Sequence, residues 1–300
     1  MRITIIGLGL IGGSAALAWK RAVKEGRFPA ETLTITAVDT REETLRYALQ
    51  NGIADRVTSD IGEGVREADL VLVAVPVLAM EPVMRAAAAA APRGTIFTDA
   101  GSVRTSVIAA VRRAVPFERL MHYVPLHPIA GAEKAGVEHA AADLYEGATG
   151  VVTPLPETLP GDTALVSQVW TAAGLHVVTM TPEEHDRVYA MVSHVPHMVA
   201  FALMRMAAES PDAATALRAA GGGFRDTTRI AAADARMWAD ITRGNRAAIL
   251  DGISRFEAAL TQLKGVISAD DYAGYTRYFE EAADARRAMA SSLPPVRKGA

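Results

Sequence analysis

The sequence lacks several features that would indicate particular classes of protein. It contains no cysteine, which excludes disulfide bonds, thiol nucleophiles and thiolate metal sites and is compatible with a reducing, cytoplasmic location. The formal net charge of -3 shows no strong bias, so nothing indicates binding to nucleic acid or to an anionic membrane surface. The uncharged stretch at residues 3–19 contains glycines that would break a signal peptide, and no other stretch has the length of a membrane span.

A glycine motif lies near the start of the chain, directly after a short β-branched run. Ile3–Ile6 is followed by a G-x-G-x-x-G spacing and then by an alanine-rich helical pattern. Strand, tight turn and helix N-terminus occur in the order that a dinucleotide pyrophosphate requires. We therefore predict a cofactor-binding turn that contains Gly7, Gly9, Leu10, Ile11 and Gly12.

The first half of the chain alternates short apolar runs with helical patterns. The predicted strands are Ile3–Ile6, Leu33–Val38, Leu70–Val75, Thr95–Thr98, Leu120–Val124, Gly150–Thr153 and His176–Thr179. The predicted helices are 11–24, 41–51, 79–91, 103–115 and 161–173. This alternation favours an α/β domain of the Rossmann type, with a mainly parallel sheet covered by helices on both faces.

The pattern changes at Thr181, where Thr181, Pro182 and Glu184 form a helix-start signature. Strand signals then vanish, and helical patterns run through 212–220, 225–235, 236–263 and 270–290. We predict a dinucleotide-binding domain at 1–180, an all-helical domain at 181–293 and a disordered tail at 294–300.

The choice of cofactor depends on the end of the second predicted strand. Asp39 lies there, and an acid at this place accepts hydrogen bonds from the adenosine ribose and repels a 2′-phosphate. This predicts NAD, although Arg41 lies close enough in sequence to leave NADP possible. The alternative is that Asp39 is a solvated surface residue.

Two segments that follow predicted strands carry candidate catalytic groups. Ser102 lies in DAGSVR, where it could cap the following helix or contact a ligand at the carboxyl edge of the sheet. His127 precedes a proline in LHPIAGAE and could act as a base near neutral pH, with Glu133 orienting it or meeting the substrate. Residue chemistry alone leaves a structural role for His127 equally open.

The helical half contains two further motifs. His194 and His197 in SHVPH have a spacing that could bind a metal, but no third ligand is evident, so we expect no metal site. Pro196 between them should kink its helix. In GGGFRDTTRIA, Arg225, Asp226 and Arg229 could form an anion-binding loop, or the segment could be an interhelical turn with solvated charges.

Together these motifs resemble one family, the prephenate and arogenate dehydrogenases. GLGLIGGS, DAGSVR, LHPIAGAEKAG, SHVPH and GGGFRDTTRIA occur in that family's order and approximate spacing, between about residues 3 and 264. The resemblance implies a homodimer with contacts in the helical domain. It also implies oxidative decarboxylation of prephenate, arogenate or both, with hydride transfer to NAD, on the route to tyrosine.

The resemblance also implies a role for each matching residue. His127 is the catalytic histidine, and Ser102, which we also place in the cofactor site, is its hydrogen-bonding companion. Arg229 holds a substrate carboxylate and His194 lies at the substrate pocket. The remaining matches around the active site are Asp226, Glu133 and Trp238.

Two alternative functions remain. One is another small-acid dehydrogenase, of the 3-hydroxyacid type, but such enzymes typically use a lysine of the helical domain. After Lys134 this chain has only Lys264 and Lys298, neither in a recognisable motif. The other is a non-catalytic NAD-binding sensor, which would bind the cofactor without turnover.

Overall fold

The computed structural model describes residues 1–131 and 134–290, which form two compact units. The first unit comprises residues 1–188 and 232–245, and the second comprises 189–231 and the described residues from 246 onward. The predicted tail at 294–300 lies outside the described residues. The predicted boundary between residues 180 and 181 remains a prediction.

The first unit is built on a six-stranded parallel sheet with the strand order β3-β2-β1-β4-β5-β6. Its strands are β1 Arg2–Ile6, β2 Thr34–Val38, β3 Arg56–Thr58, β4 Leu70–Val73, β5 Ile96–Asp99 and β6 Tyr123–Val124. The order reverses between β1 and β4, which is where ligands bind in open sheets of this kind. The predicted α/β class and parallel sheet are thereby confirmed.

A second, three-stranded sheet was not anticipated. It contains β7 Leu126–Ile129, β8 Thr149–Val152 and β9 His176–Thr179, with β7 antiparallel to β8 and β8 parallel to β9. The pattern missed β7 because it contains Pro128, which cannot donate a ladder hydrogen bond but is tolerated here on an edge strand. It missed β3 because three residues of mixed polarity give no clear strand signal.

Helices surround the sheets and make up the second unit. In chain order they are α1 Leu10–Lys24, α2 Glu42–Gln50, α3 Ile61–Val65, α4 Met80–Ala90, α5 Thr105–Ala114, α6 Phe117–Leu120, α7 Pro160–Ala172, α8 Pro182–Tyr189, α9 Val195–Ala208, α10 Ala213–Arg218, α11 Gly222–Thr228, α12 Ala235–Gly244, α13 Arg246–Ser268 and α14 Tyr272–Ala290. Within the described ranges, none of these helices combines the length and apolar character that a membrane crossing requires.

The helix that Thr181 is predicted to begin is present, although one of the later helical patterns divides. The hydroxyl of Thr181 accepts a hydrogen bond from the backbone N–H of Glu184 at 3.1 Å, as its capping signature predicts. The helical pattern at 236–263 forms two helices, α12 and α13, which are separated at Asn245. Every segment from Thr181 to the last described residue that was predicted to be helical contains helix.

A cluster of aromatic rings fixes α1 against α7. Trp19 and Trp170 meet edge to face with ring centroids 5.3 Å apart, and Tyr145 meets Trp170 in the same way at 5.2 Å. Such pairs contribute about 0.5–1.5 kcal/mol beyond the apolar area that they bury. The Tyr145 hydroxyl also donates to the carbonyl oxygen of Ile11 at 2.7 Å. Tyr145 therefore connects the first turn of α1 to the aromatic cluster.

A fully buried ion pair lies at the carboxyl end of β5. The guanidinium of Arg104 donates to both carboxylate oxygens of Asp99, at 2.8 and 3.2 Å, and also to the carbonyl oxygen of Gly101. Tyr123 donates its hydroxyl to Asp99 at 2.7 Å. Burial and the adjacent carboxylate raise the pKa of Tyr123 well above its usual value, so its hydroxyl stays a donor. This network fixes the loop from Asp99 to Arg104.

We predict that Arg104→Ala lowers the free energy of unfolding by about 3–5 kcal/mol, because it leaves the Asp99 carboxylate buried without its counter-charge. Urea denaturation followed by circular dichroism measures the change. The matched control is Arg56→Ala, which removes a pair with Glu67 whose side chains are 66% and 59% exposed and should cost less than about 1 kcal/mol. Equal losses in the two variants would contradict the structural role of the buried pair.

Candidate active site

The glycine turn between β1 and α1 has the shape that a bound pyrophosphate needs. Gly7 has a φ of 92°, and a side chain there would collide with the Ala74 carbonyl group. A side chain at Gly12 would collide with the carbonyl oxygen of Gly7. A Cβ at Gly9 would instead meet nothing within 4 Å, so this side of the turn is open. Gly9 caps α1 without a side-chain hydrogen bond, which suits an anion at this helix start.

Asp39 lies beside this turn and supports it. Its Oδ2 accepts a hydrogen bond from the backbone N–H of Leu8 at 2.9 Å, and its Oδ1 accepts one from Arg41 at 3.0 Å. The side chain is only 10% exposed, so the alternative of a solvated surface residue is wrong. The guanidinium Nε of Arg41 lies 3.5 Å from Oδ1, which places a cation next to the carboxylate. Each carboxylate oxygen can accept a further hydrogen bond, as from a ribose hydroxyl. Binding of the ribose by Asp39 stays a prediction.

The helix that follows β5 is capped by a residue from a distant part of the chain. The Asp186 carboxylate accepts hydrogen bonds from the backbone N–H groups of Arg104 at 2.8 Å and Thr105 at 2.9 Å, at the start of α5. This acid also suits the positive end of the helix dipole. The alternative that Ser102 caps this helix is therefore wrong, because Ser102 precedes the helix start and Asp186 occupies the capping position.

His127 lies half-buried on β7, and its ring is held by a second histidine. Nδ1 of His127 lies 2.9 Å from Nε2 of His185, with the ring centroids 5.1 Å apart. Nδ1 of His185 lies 2.9 Å from Oδ1 of Asp186. Three side chains therefore form a continuous hydrogen-bonded row that ends at the N-terminus of α5.

At neutral pH, His185 and Asp186 differ in charge. Burial lowers the pKa of His185, while the Asp186 contact opposes the shift without cancelling it. Burial alone would raise the pKa of Asp186, but hydrogen bonds from His185 and the backbone of Arg104 and Thr105 outweigh it and lower the pKa. At neutral pH the row therefore contains a neutral imidazole beside an ionised carboxylate.

In the second unit, the first two residues of SHVPH end an unusually wide helical turn, and the other three begin α9. Ala190–His194 is π-helical and is followed directly by α9, whose first turn contains Pro196. The wider turn accommodates a proline that cannot donate to an earlier carbonyl, so the predicted kink takes the form of a π-helical turn. His194 is buried within it, and Nδ1 of His197 contacts the Ser193 carbonyl oxygen at 2.8 Å.

Arg229 also belongs to the second unit, where its charge acts on His197. Burial lowers the pKa of His197; the Ser193 carbonyl opposes this shift, and the positive charge of Arg229 adds to it. The GGGFRDTTR segment is helical from Gly222, so the predicted anion-binding loop is wrong as local structure. Arg225, Asp226 and Arg229 are nevertheless exposed.

The remaining predicted site residues differ in position. Trp238 lies on the buried face of α12 in the first unit. Ser102 is half-buried in the loop between β5 and α5. Glu133 lies outside the described residues. The first unit thus contains the glycine turn, Asp39, Ser102, His127 and Trp238, and the second contains His194, Asp226 and Arg229.

Sequence reasoning missed His185 and Asp186. Both lie in the helix that Thr181 begins, and their helical pattern gave no indication that they contact a strand and a helix start far away in the chain. The only local signal was a histidine next to an acid, in the sequence Glu184-His185-Asp186.

Fold and glycine turn together define a dinucleotide-binding protein of the Rossmann type. Residues 22–179 match the family "Prephenate dehydrogenase, nucleotide-binding domain", and residues 181–281 match "Prephenate dehydrogenase, dimerization domain". The chain belongs to the prephenate dehydrogenase family.

Individual relatives agree over nearly the whole chain. A cyclohexadienyl dehydrogenase from Zymomonas mobilis is 37% identical over 96% of this chain and 95% of its own length. A Bacillus subtilis prephenate dehydrogenase is 33% identical over 99% of this chain and 77% of its own. The Aquifex aeolicus prephenate dehydrogenase, solved with hydroxyphenyl propionate and NAD+, is 31% identical with a TM-score of 0.87, covering 96% of this chain and 98% of that one.

We predict that Asp39→Ala reduces the preference for NAD over NADP by about one to two decades, because hydrogen bonds to a charged group contribute about 1.5–3 kcal/mol. Fluorescence titration gives the dissociation constant of each cofactor and their ratio. Asp55→Ala is the matched control: Asp55 also accepts a backbone N–H, that of Ile35 at 2.7 Å, but at the opposite end of β2. An unmodified protein that binds both cofactors equally would contradict the assignment.

Proposed function

We propose that this chain is an NAD-dependent dehydrogenase that oxidatively decarboxylates prephenate, arogenate or both, in the biosynthesis of tyrosine. The observation that carries this proposal is the joint presence of the glycine turn and the fixed His127 in a member of the prephenate dehydrogenase family. The carboxylate of Asp39 at the cofactor turn supports NAD as the cofactor.

The substrate is a cyclohexadienol with a ring carboxylate and a hydroxyl group on C4. When bound, NAD supplies the hydride acceptor for C4. His127 takes the hydroxyl proton at Nε2, because Nδ1 faces His185. As the C4 carbonyl forms, the bond to the ring carboxylate breaks and CO2 leaves. Its electron pair passes through the ring to the C4 oxygen, which takes back a proton to become the phenol hydroxyl. The ring thereby becomes aromatic, which makes the reaction effectively irreversible. Prephenate gives 4-hydroxyphenylpyruvate and arogenate gives tyrosine.

The other site residues act by binding and orienting the substrate. Arg229 holds a carboxylate through its guanidinium fork, and its exposed position is consistent with ligand access. The family's motifs also assign substrate binding to His194, Asp226, Glu133 and Trp238, and they make Ser102 the hydrogen-bonding companion of His127 and part of the cofactor site. These roles rest on the family's motifs, and each matching residue can be varied alone.

The active form is a homodimer, and the match of the helical half to a family dimerization domain supports this assignment. A cytoplasmic location completes the proposal, since a chain without cysteine is compatible with a reducing compartment. Cell fractionation with a tagged chain tests the location.

The decisive assay follows the absorbance of the reduced cofactor when the protein is incubated with NAD and either prephenate or arogenate. Turnover of one of them is expected, while NAD binding without turnover would indicate a sensor, and turnover of a 3-hydroxyacid alone would indicate the other dehydrogenase type.

His127→Asn should bind NAD normally and lower kcat by about 10²–10⁴-fold. In the unmodified protein, one group must be deprotonated for activity. The ionisation of that group should disappear from the pH profile of kcat in His127→Asn. Near-normal kcat would make His127 structural.

A second prediction concerns the capture of the substrate. Arg229→Ala should lower kcat/KM by about one to two decades, since a charged hydrogen bond contributes about 1.5–3 kcal/mol. Arg229→Lys keeps the charge but loses the fork and should rescue only part of the loss. Arg225→Ala is the matched control, because Arg225 is an exposed arginine one turn earlier. Steady-state kinetics at saturating NAD decide, and equal effects of Arg225→Ala and Arg229→Ala would contradict a specific role.

A further inference from the structure

The row from His127 to Asp186 is built from three elements that meet only in the folded first unit. His127 lies on β7, His185 and Asp186 lie on α8, and the acid reaches the start of α5. Nδ1 of His127 lies 2.9 Å from Nε2 of His185, and Nδ1 of His185 lies 2.9 Å from Oδ1 of Asp186. Oδ1 of Asp186 lies 2.8 Å from the backbone nitrogen of Arg104, so all three distances are those of hydrogen bonds. The His185 side chain is fully buried, so its ring has a fixed environment.

The direction of each hydrogen bond follows from the end of the row. An ionised carboxylate only accepts, so Nδ1 of His185 must carry the proton that faces Asp186. A neutral imidazole has only that one proton, so Nε2 of His185 is an acceptor. Nδ1 of His127 then has to donate to it, which leaves the lone pair of His127 on Nε2.

We propose that His185 is a positioning residue for the base His127, and that it fixes the ring orientation and the tautomer by which Nε2 takes the substrate proton. Asp186 anchors His185 in turn. This inference rests on the proposed role of His127. It assigns to the Glu184-His185-Asp186 segment a function that its local sequence does not reveal.

The anchor of the row is rigid because Asp186 is held at several atoms. Its two carboxylate oxygens accept from the backbone of Arg104 and Thr105, and its carbonyl oxygen accepts from Nδ2 of Asn245 at 2.7 Å. A base held in this way needs no reorganisation before proton transfer, and displacement of a reacting group by 1 Å can cost about 10²-fold in rate.

The charges around the row favour His127 after it has taken the proton. Among the described residues, the charged groups that act on His185 include Asp186 on α8, Asp99 at the end of β5 and Arg104 at the start of α5. Together these two carboxylates and one guanidinium carry one net negative charge. An imidazolium at His127 therefore donates a stronger, charge-assisted hydrogen bond to His185 than the neutral ring does.

The first test needs no catalysis. Nitrogen-15 chemical shifts of the histidine rings in the unmodified protein report which ring nitrogen carries the proton. The inference requires the Nδ1-protonated tautomer at both His127 and His185 near neutral pH, and loss of the fixed Nδ1 proton of His127 in His185→Leu. An Nε2-protonated His127 in the unmodified protein would overturn it.

The second test separates positioning from general structural damage. His185→Leu should lower kcat by about 10–100-fold. The KM for NAD and the KM for the substrate should each change by less than about twofold. The acidic limb of its pH profile should move to lower pH by about 0.5–1 unit, because the imidazolium loses its acceptor. His185→Gln places an amide oxygen near the position of Nε2 and should restore most of kcat. An unmoved limb, or equal losses in the Leu and Gln variants, would overturn the proposal.

The chain offers a matched control in the same unit. Nδ1 of His122 contacts Oδ2 of Asp162 at 2.7 Å, so His122→Leu also removes a histidine from a histidine–acid pair. It should leave kcat and the acidic limb unchanged, and a loss equal to that of His185→Leu would overturn the specific role of His185. If the unmodified protein shows no turnover, the proposed function fails. If His127→Asn is inactive while His185→Leu behaves like His122→Leu, only the positioning role of His185 fails.

Discussion

The buried carboxylate of Asp186 is the constraint on which the arrangement of His127, His185 and the start of α5 depends. A carboxylate can remain ionised in a protein interior only when donors surround it, and here two backbone N–H groups and one histidine supply them. The same acid therefore starts α5 and orients His185. The neighbouring Arg104 and Asp99 meet a similar requirement for each other. The loop that contains Ser102 lies between these two charged networks.

Much of the fold could be predicted from local pattern. Three local signals predicted elements that the tertiary structure retains. They are the β-branched run before Gly7, the proline that follows the alanine-rich α4 and the capping signature at Thr181. The glycine turn could be predicted for the same reason, because backbone geometry requires its glycines within a few residues of one another.

The rest of the site depends on contacts between residues far apart in the chain. Asp186 reaches the backbone of Arg104 across 82 positions, and His127 reaches His185 across 58. Nothing in the periodicity of α8 distinguishes an acid that caps a distant helix from one that faces solvent. The GGGFRDTTR segment shows the opposite error, since three glycines indicated a loop where the structure has a helix. Glycine weakens a helix but does not forbid one.

The double use of Asp39 limits how the cofactor preference of this chain can change. Its carboxylate anchors the Leu8 amide and is also the predicted acceptor for the ribose hydroxyls. A single replacement that admits a 2′-phosphate also removes an anchor of the glycine turn. An evolutionary or engineered route from one cofactor to the other must therefore pass through a weakened binder, unless a second substitution first re-anchors that amide. Arg41, already beside the acid, supplies the charge for such a change but no acceptor for the amide.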